Sequence, residues 1–520
     1  MQINKRSRGI ITFLIGAILL LIIAVFSIQF YLESRIKNHL ARKIPNHIAV
    51  AHKELNVNVL SGAVSIKNIS GSVKHQNDSV YARFSADMLG LSGFSIWQFF
   101  INDKIKISQI TLDKPILRIS NNRTTDNNSS AKKSFELNRN ISIGELQIDD
   151  GNIELINNAS DNVQLRLNNM DLKMYDVRLD STIINNKIPF TYEDYTLDVN
   201  DVFFKLNKYE SLRIDALNIA NRNLEISHLA IDSNYSKKEL STIIEKERDH
   251  ISLAINEVLI GDLNFGVNDN RIFVTASSGV LKHPISTIYR DKLVADDLSK
   301  KRLYSQTLRE LPIAISIKQL MIKNGQLAYE ELVDADTDAG RIYFDQINAD
   351  ILGISNLDSA GNISINAEAM FMKSSPMTLE WSFDVNDRND SFTAMGTFKD
   401  FNAESINPFL ESNMRSRATG MAEEIYYTIS GNGVQSKGDI KMKYRNFEFV
   451  ILKKNRLGIN KVLTAIGNIF IKENSKTDAN GYRHGRIEVE RDQTKSFFNY
   501  LWLNLKNGIG STLIGNGEKE

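Results

Sequence analysis

From Pro45 onward, apolar and polar positions alternate in short runs broken by Asn, Asp, Gly and Ser, the period-2 signature of sheet with one wet face. The N-terminus reads differently. Gly9 to Leu32 contains no charged residue, and Ile10 to Ile28 is apolar almost throughout. About 20 residues at 1.5 Å rise cover a hydrocarbon core of roughly 30 Å, so 9–32 is expected to be a membrane-spanning helix. A cleaved signal peptide is the rival reading, but Ala24-Val25-Phe26 puts a bulky residue where cleavage needs a small one. Lys5, Arg6 and Arg8 favour a cytoplasmic tail over 1–8, although Arg35, Lys37, Arg42 and Lys43 on the other side weaken the charge contrast. Residues 33–44 are expected to form a membrane-proximal helix, ended by Ile44-Pro45.

The strand-rich body, 45–490, contains a repeat. Ile141, Ile143, Leu146, Ile148, Ile153 and Leu155 share their spacing with Ile315, Ile317, Leu320, Ile322, Leu327 and Tyr329, with Gly151 and Gly325 at matching turn positions. Four further copies start at Ile105 (with Ile107), Leu165, Leu212 (with Ile214) and Leu253 (with Ile255). Each copy has an apolar pair, a one-residue change of parity, a second pair, a turn and a third pair. A parity change requires a bulge or bend. Such a unit cannot bury its own apolar face, so neighbours must stack into a long curved sheet or groove. The starts lie 36, 24, 47, 41 and 62 residues apart, which implies insertions.

Residues 120–140 read as a polar linker, and 236–250, 284–311 and 403–417 as helical insertions, the second with leucines at 293, 298, 303 and 308. The last segment, 491–520, reads as an amphipathic helix and tail, with Phe498, Leu501, Leu505, Ile509 and Leu513 in a stripe under Trp502. Such a stripe either faces the core or contacts a membrane or partner.

Composition narrows the function classes. Lys plus Arg number 63 against 62 Asp plus Glu, which argues against a nucleic-acid binder. The absence of Cys removes disulfides, thiol nucleophiles and Cys-ligated metals. Seven prolines in 520 residues suit long uninterrupted ladders. The acidic run Asp334 to Gly340 suggests calcium, but its glycine is one place late for an EF-hand loop, so a solvated turn is the better reading. The eight histidines include no HExxH, and Ser130-x-x-Lys133 lacks companion motifs. No enzyme and no cofactor are expected.

The chain resembles the AsmA-like proteins of Gram-negative envelopes. The resemblance rests on the stretch from Leu55 to Ile69 after the Ile44-Pro45 helix end, on Ser405 to Glu411, on Gly431-Asn432 and Gly438 to Tyr444, and on Lys495 to Trp502. It implies a single-pass inner-membrane protein whose periplasmic β-groove carries phospholipid towards the outer membrane in outer-membrane biogenesis. Envelope proteins are the implied partners, with no nucleic acid. An envelope scaffold with a closed, filled β-body is the alternative.

Overall fold

The computed structural model describes residues 47–58, 62–74, 80–121, 137, 139–157, 162–186, 188–268, 271–357, 361–453 and 477–514. The expected tail (1–8), membrane-spanning helix (9–32) and membrane-proximal helix (33–44), and most of the expected 120–140 linker, lie outside these. Among the described residues no helix is long and apolar enough to cross a membrane. The fold is mostly β, with 23 strands among the described residues. It divides into two compact units, Met1–Leu229 with Asp262–Phe273, and Ala230–Gly261 with Val274–Glu520.

In the first unit, β1 (Ile48–Ala51) and β2 (Glu54–Asn58) both pair with β3 (Ala63–Lys74), and β3 pairs with β4 (Val80–Ser92), all antiparallel. Next, β4 pairs with β5 (Ile105–Asp113) and β6 (Ile116–Asn121), which are one strand kinked at Lys114-Pro115. Both halves run parallel to β7 (Ile141–Asn157). Antiparallel order resumes through β8 (Asn162–Leu179), β9 (Asp194–Lys205) and β10 (Glu210–Ala220). A line of left-handed residues crosses the sheet at Asp150, Asn169 and Asp201. Asp and Asn tolerate this conformation, and their side chains bond one another across strands, Asn169 Nδ2 donating to Asp150 Oδ1 (2.8 Å) and Asn168 Nδ2 to Asp201 Oδ2 (2.7 Å).

The second unit repeats the kinked arrangement. Here β12 (His250–Gly261) pairs antiparallel with β14 (Arg271–Lys282) and β15 (Ile285–Asp291), which are separated by His283-Pro284. Strand β15 runs parallel to β16 (Ala314–Leu332). The two kinks share their hydrogen bonds. Lys114 N–H donates to Asp149 O (2.8 Å) and Asn152 N–H to Pro115 O (2.7 Å), while His283 N–H donates to Lys323 O (2.9 Å) and Gln326 N–H to Pro284 O (2.7 Å). Lys114 and His283 are both left-handed, as are Asp150 and Asn324 opposite them. An antiparallel meander follows: β17 (Gly340–Ser355), β18 (Asn362–Phe371), β19 (Ser375–Asp384), β20 (Phe392–Asn402), β21 (Ser416–Gly431), β22 (Gln435–Ile451) and β23 (Arg483–Glu490).

Helices are few. α1 (Ile96–Ile101) lies between β4 and β5. α2 (Lys237–Ile243) starts at a capping box, Ser236 with Glu239, and stops where Ile244 turns extended, so only half of 236–250 is helical. The expectation for 284–311 is corrected: 285–291 is strand, and only α3 (Tyr304–Arg309) is α-helical. Ile285, Thr287, Ile288 and Tyr289 are strand formers, and 285–291 pairs with both β12 and β16. A leucine spacing of five also cannot hold one helix face, and Leu293 and Leu298 are exposed while Leu303 is buried. Between β20 and β21 a 3-10 turn, Ala403–Ile406, leads into α4 (Asn407–Met414), with Pro408 in its first turn. The last helix is α5 (Phe497–Ile514).

Candidate functional site

The repeat becomes a spatial register in the first unit. Across the parallel strands, Ile105 faces Ile141, Ile107 faces Ile143, Ile110 faces Leu146 and Leu112 faces Ile148. Leu117 and Ile119 continue the match with Ile153 and Leu155. The first two copies therefore stack like on like. On the other side, Leu179 and Val177 stand opposite Ile141 and Ile143. The first pairs of these two copies are sealed, at 4% and 1% exposure for Ile105 and Ile107 and 2% and 0% for Ile141 and Ile143.

Pairing extends these matches into apolar rows perpendicular to the strands. One runs Val73, Ala82, Ile119, Leu155, Leu165, Phe204, Leu212. A second runs Ile66, Leu89, Leu112, Ile148, Leu172, Leu197, Ile219. Each crosses seven strands, roughly 29 Å at about 4.8 Å per strand, without a charged or polar side chain. Burial changes along them. The members on β3 to β7 are sealed, whereas Leu165, Phe204, Leu212, Leu172 and Leu197 are half-buried. Ile214 and Ile219 close up again, at 6% and 7%.

In the second unit a longer row starts half-open and ends covered. Ile260 faces Gly279, where a Cβ would stand 2.7 Å from Leu320 Cδ1. From Leu320 the row passes through Ile351, Ile365, Trp381, Ala394, Ile429, Gly438 and Ile487. Leu320, Ile351 and Ile365 are half-buried, as are the candidates Leu253, Ile315 and Ile317; Ile255 is buried.

The covered end lies beneath α5. Phe497 and Tyr500 join Ala394, Ile429, Ile440 and Ile487 in one core, with Leu303 beside them. Phe497 stacks on Trp381 at 4.4 Å. The expected stripe is displaced. The innermost line of the helix is Phe497, Tyr500, Asn504, Gly508 and Thr512. Leu501, Leu505 and Ile509 flank it, and Phe498 and Trp502 point outward at 54% and 37% exposure. Close approach is the reason. A Cβ on Gly485 would meet the Gly508 carbonyl at 2.7 Å, and one on Gly508 would meet Ile487 at 2.8 Å. Only small side chains fit there, and Asn504 is satisfied by Ser436 (2.7 Å) and the Tyr500 carbonyl (2.8 Å). The helix also caps the β23 edge, with Arg486 N–H donating to Ser511 Oγ and Glu488 N–H to Asn507 Oδ1, both at 3.0 Å.

Polar chemistry is dispersed. A cleft of about 300 Å³ by β2 to β5, lined by Asn56, Ser65, Met88, Ser92, Gln109 and Thr111 among others, holds no titratable side chain. Among the described residues no group of His, Cys, Asp or Glu is placed to hold a metal ion. The acidic run folds as a turn, Asp334 Oδ1 accepting from Asp336 N–H (3.1 Å). The densest charges link Glu247, Lys292, Asp296 and Lys495, with Arg290 paired to Asp249 at 2.8 Å. They fasten the segment before α5. Burial pushes the Tyr195 hydroxyl up to about 12; that hydroxyl has no hydrogen-bond partner among the described residues.

No protein-family model and no curated protein matches the chain in sequence. The candidate site is therefore the apolar sheet face itself. Ile351, Trp381, Phe497 and Tyr304 belong to it or its cover and were not singled out in the sequence. The kinks had a readable signal, Leu112-x-x-Pro115-Ile116 matching Leu281-x-x-Pro284-Ile285.

Proposed function

We propose that this chain is an AsmA-like, single-pass inner-membrane protein whose periplasmic body binds or conducts phospholipid along its apolar sheet face. The expected helix at 9–32 anchors it, with the N-terminus in the cytoplasm, and outer-membrane biogenesis is the process it serves. The observation that carries this reading is the apolar rows. Side chains in register across the strands give acyl chains a surface with no charge to desolvate, open where the members on β8 and β9 are half-buried. Half-buried members, such as Phe204 and Leu320, give the chains access. Headgroups remain in water, so the face selects for tails.

A photoreactive amino acid at Phe204 or Leu320, in cells grown with radiolabelled phosphate, tests this. Lipid adducts are expected at both positions and not at Phe203 or Met321, their neighbours on the opposite face. Absence of adducts at Phe204 and Leu320 sinks the reading.

A closed scaffold is the second reading, and one observation favours it. Helix α5 fills the face over β20 to β23 with Phe497 and Tyr500, leaving that end as ordinary core. In that case the photoreactive positions yield no lipid, and outward positions yield protein partners.

A further inference from the structure

The outward face of α5 carries aromatic side chains that the sheet does not use. Phe498 is 54% exposed and Trp502, one turn on, 37%. The Tyr304 ring, 45% exposed, lies 6.1 Å from that of Phe498. Leu298, 72% exposed, sits on the segment held beside α5 by the bond from Lys301 N–H to Gln493 O (2.8 Å) and by the Lys495–Asp296 ion pair (3.4 Å). Single exposed apolar residues are ordinary, but a cluster on adjoining segments marks a contact surface. It also continues the inner face. Trp381, a member of the apolar row, lies 5.4 Å from Tyr304 and stacks on Phe497, whose ring is 5.9 Å from Phe498.

Charge indicates the occupant. Lys506 is the sole charged residue of α5. Lys506 and Lys300 are exposed and make no ion pair among the described residues, whereas Asp296, Asp297 and Glu310 are all paired to cations. Trp, Tyr and Phe beside free ammonium groups suit the headgroup layer of a bilayer, where rings enter the acyl boundary and ammonium groups meet phosphates. Lysine is depleted in protein–protein contacts.

We propose that this end of the second unit docks onto a phospholipid bilayer through Phe498 and Trp502, with Tyr304 and Leu298 beside them. The proposal goes beyond lipid carriage and stands or falls separately, since a body that holds no lipid still docks through these residues.

The full chain, reconstituted in lipid nanodiscs, is mixed with sucrose-loaded vesicles of phosphatidylethanolamine and phosphatidylglycerol and sedimented. Wild type is expected to pellet with the vesicles, and brominated vesicle lipid to quench Trp502. The exposed-face variant Phe498→Glu/Trp502→Glu should bind about tenfold less or weaker still, with unchanged far-ultraviolet dichroism and urea midpoint; Phe498→Leu/Trp502→Phe should bind as wild type. Lys300→Glu/Lys506→Glu, which leaves every apolar contact in place, should weaken binding to anionic vesicles and not to neutral ones. Failure of wild type to pellet, undiminished binding by both Glu variants, or binding only to vesicles that carry envelope proteins overturns the proposal.

Discussion

Ile107 and Ile143 stand in register on neighbouring parallel strands, at corresponding positions of two copies of the sequence repeat. Both are sealed, at 1% and 0% exposure. The 36-residue interval between these two copies is thus the length of chain needed to leave one strand and return beside it in the same direction. At this step matching copies put aliphatic against aliphatic, and antiparallel pairing extends the rows on either side.

Sealed and half-open positions on this face should respond differently to substitution. Ile143→Ala is expected to cost about 2–5 kcal/mol, and Ile143→Asp to prevent folding. Leu320→Asp, at a half-buried position, should leave a folded protein that loses lipid adducts at its photoreactive neighbours. Urea unfolding and expression level separate the two. Equal loss of folding at both positions would make the whole face core.

The left-handed residues at the kinks give a second test. Lys114 and His283, at φ 46° and 51°, occupy a conformation that costs an L-residue about 1 kcal/mol and glycine almost nothing. Lys114→Gly and His283→Gly should be neutral or stabilising by up to about 1 kcal/mol, and Lys114→Val destabilising by about 1–3 kcal/mol. Thermal unfolding of the three variants decides. A glycine that destabilises at both sites would mean the side chains, not the backbone, hold the kinks.

How far these features were legible depended on what each one uses. Alternation and spacing were enough for the strands and for the buried face of β7, because Ile141 to Leu155 express burial directly as hydrophobicity. Residues 284–311 misled because the leucines at 293 to 308 suggest one helical pattern and obscure the strand-forming Ile285, Thr287, Ile288 and Tyr289, which pair with β12 and β16. The inner line of α5 was unreadable for a different reason. Asn504, Gly508 and Thr512 are inside because the sheet comes too close for leucine, and hydropathy ranks such residues as outer. The register that joins Trp381 to Leu320 depends on hairpin pairing across β16 to β19, which no spacing within one strand encodes.

The close seat of α5 predicts opposite effects for two small-residue substitutions. Gly485→Ala drives a methyl into the Gly508 carbonyl and should cost about 1–3 kcal/mol. Gly510→Ala, with nothing within 4 Å of the added carbon, should gain about 1 kcal/mol from helix propensity. Trp381, stacked on Phe497 at 4.4 Å, provides the fluorescence signal for helix release. The same sign for both substitutions would place α5 elsewhere.

Acid and base should loosen the charge cluster beside α5 by different routes. The Asp296 carboxyl is held below its ordinary 3.8 by the hydrogen bond and charge of Lys292. Its contribution is therefore complete above pH 3.8 and disappears as the pH falls through the lower folded value. Burial works against the Lys292 ammonium, yet its hydrogen bonds to Asp296 and Glu247 hold it above 10.5. That contribution is complete below pH 10.5 and disappears as the pH rises through the higher folded value. Asp296→Asn removes this carboxylate's acid-sensitive contribution and part of the support for the Lys292 ammonium, which keeps Glu247. Urea midpoints of wild type and Asp296→Asn should differ by a small, constant amount across the neutral range and converge as the pH falls below 3.8. Divergence in acid would show that Asp296 is not ionised by choice of its partner, and that the cluster does not fasten the segment before α5 through this carboxylate.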